Sequence, residues 1–377
     1  MTVYPFHIEI PDGALADLKE RLSRTRWPDA MEGGGWRYGT DLEFLKALTS
    51  WWRDRFDWRA AEARLNAFPQ FVAEIDGIDV HFLHAKGKGP DPLPLIITHG
   101  WPSSVAEFTK LIPLLTDPES HGGRAEDAFD VVAPSLPGFG FSQRPCHSGM
   151  SSRAVTGLWT KLMKRTLGYQ RFFAHGGDIG GGITNRLGRW KDAAAIHTMV
   201  AAPVADTKAP PPSDAEKAWL ARVELWEKDE GAYGHQQRTR PQTLAFGLND
   251  SPVGLAAWIV EKWQSWSDCG GDILSRFTTD ELLTNIGIYW FTETIGSSMR
   301  MYYESAHDPR PESTAKIDVP ARIFLTREDV DLCPPEYVAR SYTDFSYGIA
   351  ERGGHFLAAE EPDILAGDIR TWFRRFR

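Results

Sequence analysis

The sequence predicts an α/β fold, a mostly parallel central sheet with helices on both faces. Two observations carry this. Short continuous apolar runs recur along the chain, as in strands buried on both faces. Segments of helical periodicity separate them, which is the alternation of a parallel sheet with crossover helices. The 377 residues are 42% hydrophobic and 25% charged, an ordinary globular composition. The length suits one large domain with additions, or two domains.

Residues 1–90 read as an N-terminal layer. Leu15, Leu18 and Leu22 lie at helical spacing, and Leu42, Leu45, Leu48 and Trp52 give a second helix an apolar face that Phe44 and Trp51 widen. Phe71 to Ile75 and Ile78 to Leu83 flank an Asp76-Gly77 turn, a hairpin signal. Residues 91–207 hold the first part of the core. Its buried strands are Leu95 to Thr98, ending at His99-Gly100-Trp101-Pro102, then Val131 to Ala133, Phe172 to Ala174, and Ile196 to Ala202. Pro210-Pro211-Pro212 marks a break, and residues 208–314, rich in Trp, Tyr and helix formers, read as a helical lid inserted between core strands. Such insertions at the C-terminal edge of a sheet shape its binding crevice. Residues 315–377 complete the core with strands Arg322 to Thr326 and Phe345 to Glu351. No internal repeat is visible.

Several function classes are disfavoured. A net charge of −9 with both signs interspersed argues against nucleic-acid and anionic-membrane surfaces. Cys146, Cys269 and Cys333 are far apart without CxxC spacing, so free thiols in a reducing, cytoplasmic setting are expected and no zinc pattern exists. Met1 to Ile10 show no basic region followed by an apolar run, so no signal peptide is expected, and no apolar run reaches the length of a membrane span. The glycines at 176, 177, 180, 181 and 182 do not fit G-x-G-x-x-G at a proper strand–helix junction. No cofactor and no metal is therefore expected.

The chemistry concentrates at Asp178. After the strand Phe172 to Ala174 comes Gly176-Gly177-Asp178-Ile179-Gly180, followed by a helix-like run from Ile183 to Leu187. This is the strand–turn–helix context of a G-x-S-x-G nucleophile elbow, with a carboxylate where the hydroxyl would be. Gly176 and Gly180 should let the turn bend sharply and let the backbone pass close to its neighbours. An aspartate needs no base to become a nucleophile, so a histidine is left free to activate water in a second step. The bland alternative is an Asp that merely forms a turn or caps a helix. His355, in Gly353-Gly354-His355-Phe356, follows the last strand, and Asp329 follows the strand before it. Nucleophile, acid, histidine is the chain order of α/β-hydrolases. Glu328 and Asp331 are fallbacks for the acid. Backbone N–H groups of Trp101 and Ile179 are placed to serve as an oxyanion hole.

Four motifs carry a wider resemblance: Pro5 to Pro11 with Arg24-Thr25-Arg26-Trp27-Pro28; His99-Gly100-Trp101-Pro102; Gly176-Gly177-Asp178-Ile179-Gly180; and Arg352-Gly353-Gly354-His355-Phe356. Together they span nearly the whole chain, which resembles epoxide hydrolases of the α/β-hydrolase superfamily, in the microsomal-type branch with its own N-terminal region. The resemblance implies a small hydrophobic epoxide and water as substrates, a vicinal diol as product, and a covalent aspartyl ester between them. It also implies two lid tyrosines that hold and protonate the epoxide oxygen. Tyr233 in Gly231-Ala232-Tyr233-Gly234-His235 matches the first, and Tyr302 in Arg300-Met301-Tyr302-Tyr303-Glu304 the second, ahead of Tyr303. A phenol suits the task because it stays protonated at neutral pH yet stabilises an alkoxide. Two departures are visible: the hydrophobic anchor of membrane-bound relatives is missing, so a soluble protein is expected, and the acid, often glutamate in that branch, is Asp329 here. The nearest rival is a dehalogenase with the same nucleophile. It commonly uses an indole N–H beside that residue, where this chain has Ile179. Oligomeric state stays open, a homodimer among the options.

Overall fold

The computed structural model describes residues 2–204 and 210–377. Its strands are β1 (Val3–Pro5), β2 (Gln70–Ile75), β3 (Ile78–Ala85), β4 (Leu93–Thr98), β5 (Phe129–Pro134), β6 (Phe173–Gly176), β7 (Ile196–Thr198), β8 (Ala321–Leu325) and β9 (Phe345–Ile349). They form one sheet in the order β1-β2-β3-β5-β4-β6-β7-β8-β9. Pairing is antiparallel from β1 to β5 and parallel from there on. The hairpin read as part of the N-terminal layer thus belongs to the central sheet, between β1 and β5, with Phe82 opposite Pro134. The three-residue β1, which no pattern announces, is set by pairing Val3 with Ala73.

The two-residue period of a strand decides how the core is divided. Ile96, Val132 and Ala174 point into a cluster shared with the N-terminal helices and the lid. Their neighbours Leu95, Ile97, Val131, Ala133 and Phe173 point the other way, onto the helices Leu111–Thr116 and Pro362–Phe373. Both faces are buried, which explains why these strands read as unbroken apolar runs.

Two readings need correction. The run Ile196 to Ala202 is strand only to Thr198. There the Thr198 hydroxyl bonds Val200 at both its N–H (3.2 Å) and its carbonyl (2.9 Å), a local side-chain turn that competes with the ladder and diverts the chain. Trp51 does not widen the buried face of the helix Leu42–Asp54. That face is Leu45, Leu48, Thr49 and Trp52, while Trp51 is 37% exposed and held by its indole N–H to Asp280 Oδ1 at 2.9 Å.

Between β7 and β8 lie the helices Asp214–Asp229, Ala232–Thr239, Pro241–Asp250, Pro252–Trp266, Thr279–Thr292 and Ile295–Ala306. Capping boxes at Ser213/Glu216 and Thr278/Glu281 start two of them by satisfying orphan N–H groups. The expected start of this insertion, at 207/208, lies outside the described residues. Among the described residues no helix is long and apolar enough to cross a membrane.

Candidate active site

The chain turns from β6 into the helix Asp178–Arg189 at Asp178 itself, whose φ is 49°. A non-glycine residue in the left-handed region costs about 1–3 kcal/mol and persists where its surroundings impose it. The sharp bend is therefore carried by Asp178 and not by Gly176 and Gly180, neither of which has a positive φ. Those glycines serve close approach instead. A Cβ on Gly180 would stand 1.9 Å from the Thr98 carbonyl oxygen, and one on Gly176 would stand 2.4 Å from Gly180.

The loop after β4 supplies the first partner. Trp101 N–H donates to Asp178 Oδ1 at 2.9 Å. Gly100 lets the loop come that close, because a Cβ there would lie 2.2 Å from the same oxygen. His99 fixes the loop from beneath. Leu136 N–H donates to its Nε2 at 3.2 Å, so Nδ1 carries the proton and donates to Gly100 O at 3.0 Å. Burial keeps this imidazole neutral, lowering its pKa to about 4. Ile179 is the second residue of its helix, and an N–H in a first turn has no carbonyl one turn back.

His355 stands between two carboxylates. Its Nδ1 is 2.8 Å from Asp329 Oδ2 and its Nε2 is 3.6 Å from Asp178 Oδ2. Burial alone would lower the imidazole pKa, but the charges and hydrogen bonds of Asp329 and Asp178 outweigh it and hold the pKa well above the ordinary value. Its loop is clamped by the Glu360 carboxylate, which accepts from the N–H groups of Gly354 (2.9 Å), Phe356 (3.0 Å) and Asp268 (2.9 Å). Among the three acids, Asp329 meets the imidazole. Asp331 gives its backbone N–H to Asp329 Oδ1 at 3.3 Å, and burial plus the neighbouring Asp329 charge push its own carboxyl up to about 7. Glu328 is exposed.

From the lid, Tyr233 stacks on Trp101 with ring centroids 5.3 Å apart, and Tyr302 meets Trp101 edge-on at 6.1 Å. The two phenols are 6.1 Å apart by ring centroid. Burial first, then neighbouring negative charge, raises both far above the ordinary phenol value, so both remain donors. Tyr303 instead stacks on His307 at 4.0 Å. Trp266, which the sequence reading did not single out, closes the box, 5.0 Å from Tyr233 and 5.1 Å from His355. Only its place in a Trp-rich insertion hinted at it.

Two cavities reach Asp178. On the lid side a cavity of about 500 Å³ is shared by Asp178, His355, Tyr233, Trp226, Trp266 and Asp329. On the core side a cavity of about 20 Å³ is bounded by Asp178, His355, His99, His175, Ser103 and Glu107, with no residue from the lid.

Residues 3–108 match the family model described as epoxide hydrolase N terminus, and residues 94–227 match the alpha/beta hydrolase fold. A putative epoxide hydrolase of Stigmatella aurantiaca is 43% identical, over 100% of this chain and 86% of its own length. Epoxide hydrolase 1 of Sus scrofa is 36% identical, over 98% and 88%. Among solved structures, the juvenile hormone epoxide hydrolase of Bombyx mori superposes with a TM-score of 0.89 at 30% identity, covering 100% of this chain and 95% of that one. The Aspergillus niger epoxide hydrolase does so with 0.86 at 30%, covering 100% and 97%. With the sheet order, the elbow and full-length likeness in agreement, the chain belongs to the epoxide hydrolase family of the α/β-hydrolase fold.

Proposed function

We propose that this protein opens small hydrophobic epoxides with water to vicinal diols, through a covalent ester on Asp178. The observation that supports it most is the division of labour at one carboxylate: Oδ1 is held by the Trp101 N–H while Oδ2 lies beside His355. In this reading Asp178 Oδ2 attacks an epoxide carbon, the ring C–O bond opens, and Tyr233 or Tyr302 protonates the departing oxygen. The resulting ester is neutral, so His355 loses one of its two anionic neighbours and gives up a proton, matching the one the phenol supplied. Water then transfers a proton to His355 Nε2 as its oxygen adds to Cγ of Asp178. The oxyanion rests on the N–H groups of Trp101 and Ile179. Collapse breaks the bond from Cγ to the diol oxygen, which takes the proton back from His355; the carboxylic acid left on Asp178 then passes its proton to His355 and restores the resting pair. Asp329 orients the imidazole throughout.

The lid of residues 208–314 contributes both phenols, and the N-terminal region packs on lid and core. We place the enzyme in the cytoplasm, in keeping with three free cysteines; a homodimer is compatible with this reading. The matched relatives do not favour the dehalogenase alternative. Two measurements test the ester. His355→Gln incubated with styrene oxide should carry an adduct of the epoxide's mass. A single turnover of wild-type protein in H₂¹⁸O should place the label in the Asp178 peptide and not in the diol. Label appearing directly in the diol would mean direct attack by water.

A further inference from the structure

The core-side cavity is unexplained by nucleophile, acid and tyrosines alone. Its volume of about 20 Å³ is room for one water molecule, and a buried water needs two to four polar partners. The polar groups around it can be sorted. Both nitrogens of His99 are committed, to Gly100 O and Leu136 N–H. His175 Nδ1 lies 3.0 Å from His197 Nδ1, and His197 Nε2 lies 3.0 Å from Asp368. The Ser103 hydroxyl donates to Glu107 Oε2 at 2.6 Å. The groups with spare capacity are therefore Asp178, His355, the Ser103 hydroxyl as an acceptor, the second oxygen of Glu107, and Nε2 of His175. Electrostatics separate the last two. Glu107 interacts with the charges of both His355 and Asp178, whereas His175 interacts with His197 and Asp368.

Resting on the ester reading above, we propose that Glu107 is a positioning residue that holds the hydrolytic water in the core-side cavity, between itself and His355. The water gives one hydrogen to a Glu107 oxygen and the other to His355 Nε2, which leaves a lone pair for Cγ of Asp178. The proton moves to His355 as the O–Cγ bond forms, and Glu107 gains and loses none. Attack from this side suits the geometry, because the lid-side cavity is where the bound alkyl group must lie. Loss of solvent around Glu107 raises its pKa to about 7, so near neutral pH it carries less than a full negative charge beside the nucleophile. Whether protonated or not, it offers an oxygen that accepts.

Glu107 also lines a separate crevice of about 330 Å³ between the N-terminal helix Trp58–Asn66 and the lid. Truncation would join the two cavities, so side chains of similar length are the right probes. Glu107→Met removes the acceptor and keeps the bulk; Glu107→Gln keeps an amide oxygen that accepts. Stopped-flow tryptophan fluorescence with styrene oxide separates ester formation from ester hydrolysis. For Glu107→Met, hydrolysis should slow by about 10- to 10²-fold, the loss expected for a positioned hydrogen-bond partner. Ester formation should stay within about twofold, and adduct should accumulate in the steady state by intact mass. Glu107→Gln should recover most of the hydrolysis rate. Wild-type hydrolysis by Glu107→Met would overturn the proposal. So would equal loss in both half-reactions with no rescue by Glu107→Gln, since that is what mere support of the Trp101 loop predicts. Failure of the ester reading looks different: no adduct would form in His355→Gln.

Discussion

The two sides of Asp178 are built from different parts of the chain and in different ways. The lid side is roomy, walled by Trp226, Tyr233 and Trp266 of the inserted helices and by Val200, Pro203 and Glu328 to Asp331 of core loops, with Tyr302 edge-on to Trp101. The core side is water-sized and mixed in polarity, made by the ends of β4 and β6, the segment His99 to Phe108, Asp178, Met199 and the segment His355 to Ala358. The difference separates two tasks with opposite demands. An apolar substrate gains from a large apolar surface and two phenol donors, whereas a single water must be held by hydrogen bonds in a space that admits little else. Under the mechanism proposed above, placing them on opposite sides of one carboxylate would let the ester form from one face and be hydrolysed from the other.

Substitutions should then sort by half-reaction. The largest effect is expected for Tyr233→Phe combined with Tyr302→Phe. With no donor for the epoxide oxygen, alkylation measured by stopped flow should fall by more than about 10³-fold, since each donor alone contributes about 10- to 10³-fold. A double variant that alkylates normally would make these rings packing residues, with Tyr303 the next candidate. Second comes Asp329→Asn. It should lower ester hydrolysis by about 10²- to 10⁴-fold, by analogy with other triad acids, with alkylation less affected. Asp331→Asn proving the more damaging change would move the orienting acid by two residues. Third, each single Tyr→Phe change should slow alkylation by about 10- to 10³-fold and leave single-turnover hydrolysis of a preformed ester near wild type.

The fourth test uses pH. In the free enzyme Asp329 and Asp178 hold His355 protonated well above its ordinary range. Esterification neutralises Asp178, so the imidazole pKa should fall, and hydrolysis needs the neutral form. Lowering pH should therefore slow hydrolysis and accumulate adduct, while alkylation, which needs no neutral imidazole, stays flat across neutrality. The kinetic pKa of hydrolysis should lie below the value NMR gives for His355 in the free enzyme. Equal values would mean that the Asp178 charge does not set it. The smallest effect is Glu328→Gln, an exposed neighbour of the acid, expected to change either rate by less than about threefold at moderate salt.

What the sequence alone determined is what local rules govern. Strands buried on both faces announce themselves as apolar runs, and β4, β5 and β6 were legible for that reason. Glycines around Asp178 marked a site of close backbone approach, and the order Asp178, Asp329, His355 follows from where strands end. Edges and exits were less legible. β1 exists only because β2 is there to pair with it, and β7 ends early because a threonine hydroxyl competes for the backbone. The tertiary structure alone decided that Asp178 bears the strained φ and that Glu107 faces the core-side cavity, and it brings Asp329, the acid chosen from the sequence ahead of Asp331, to the imidazole. Glu107 reads in the sequence as an unremarkable acid after two serines. Its environment comes from residues up to hundreds of positions away, and no local pattern encodes contacts that only folding brings together.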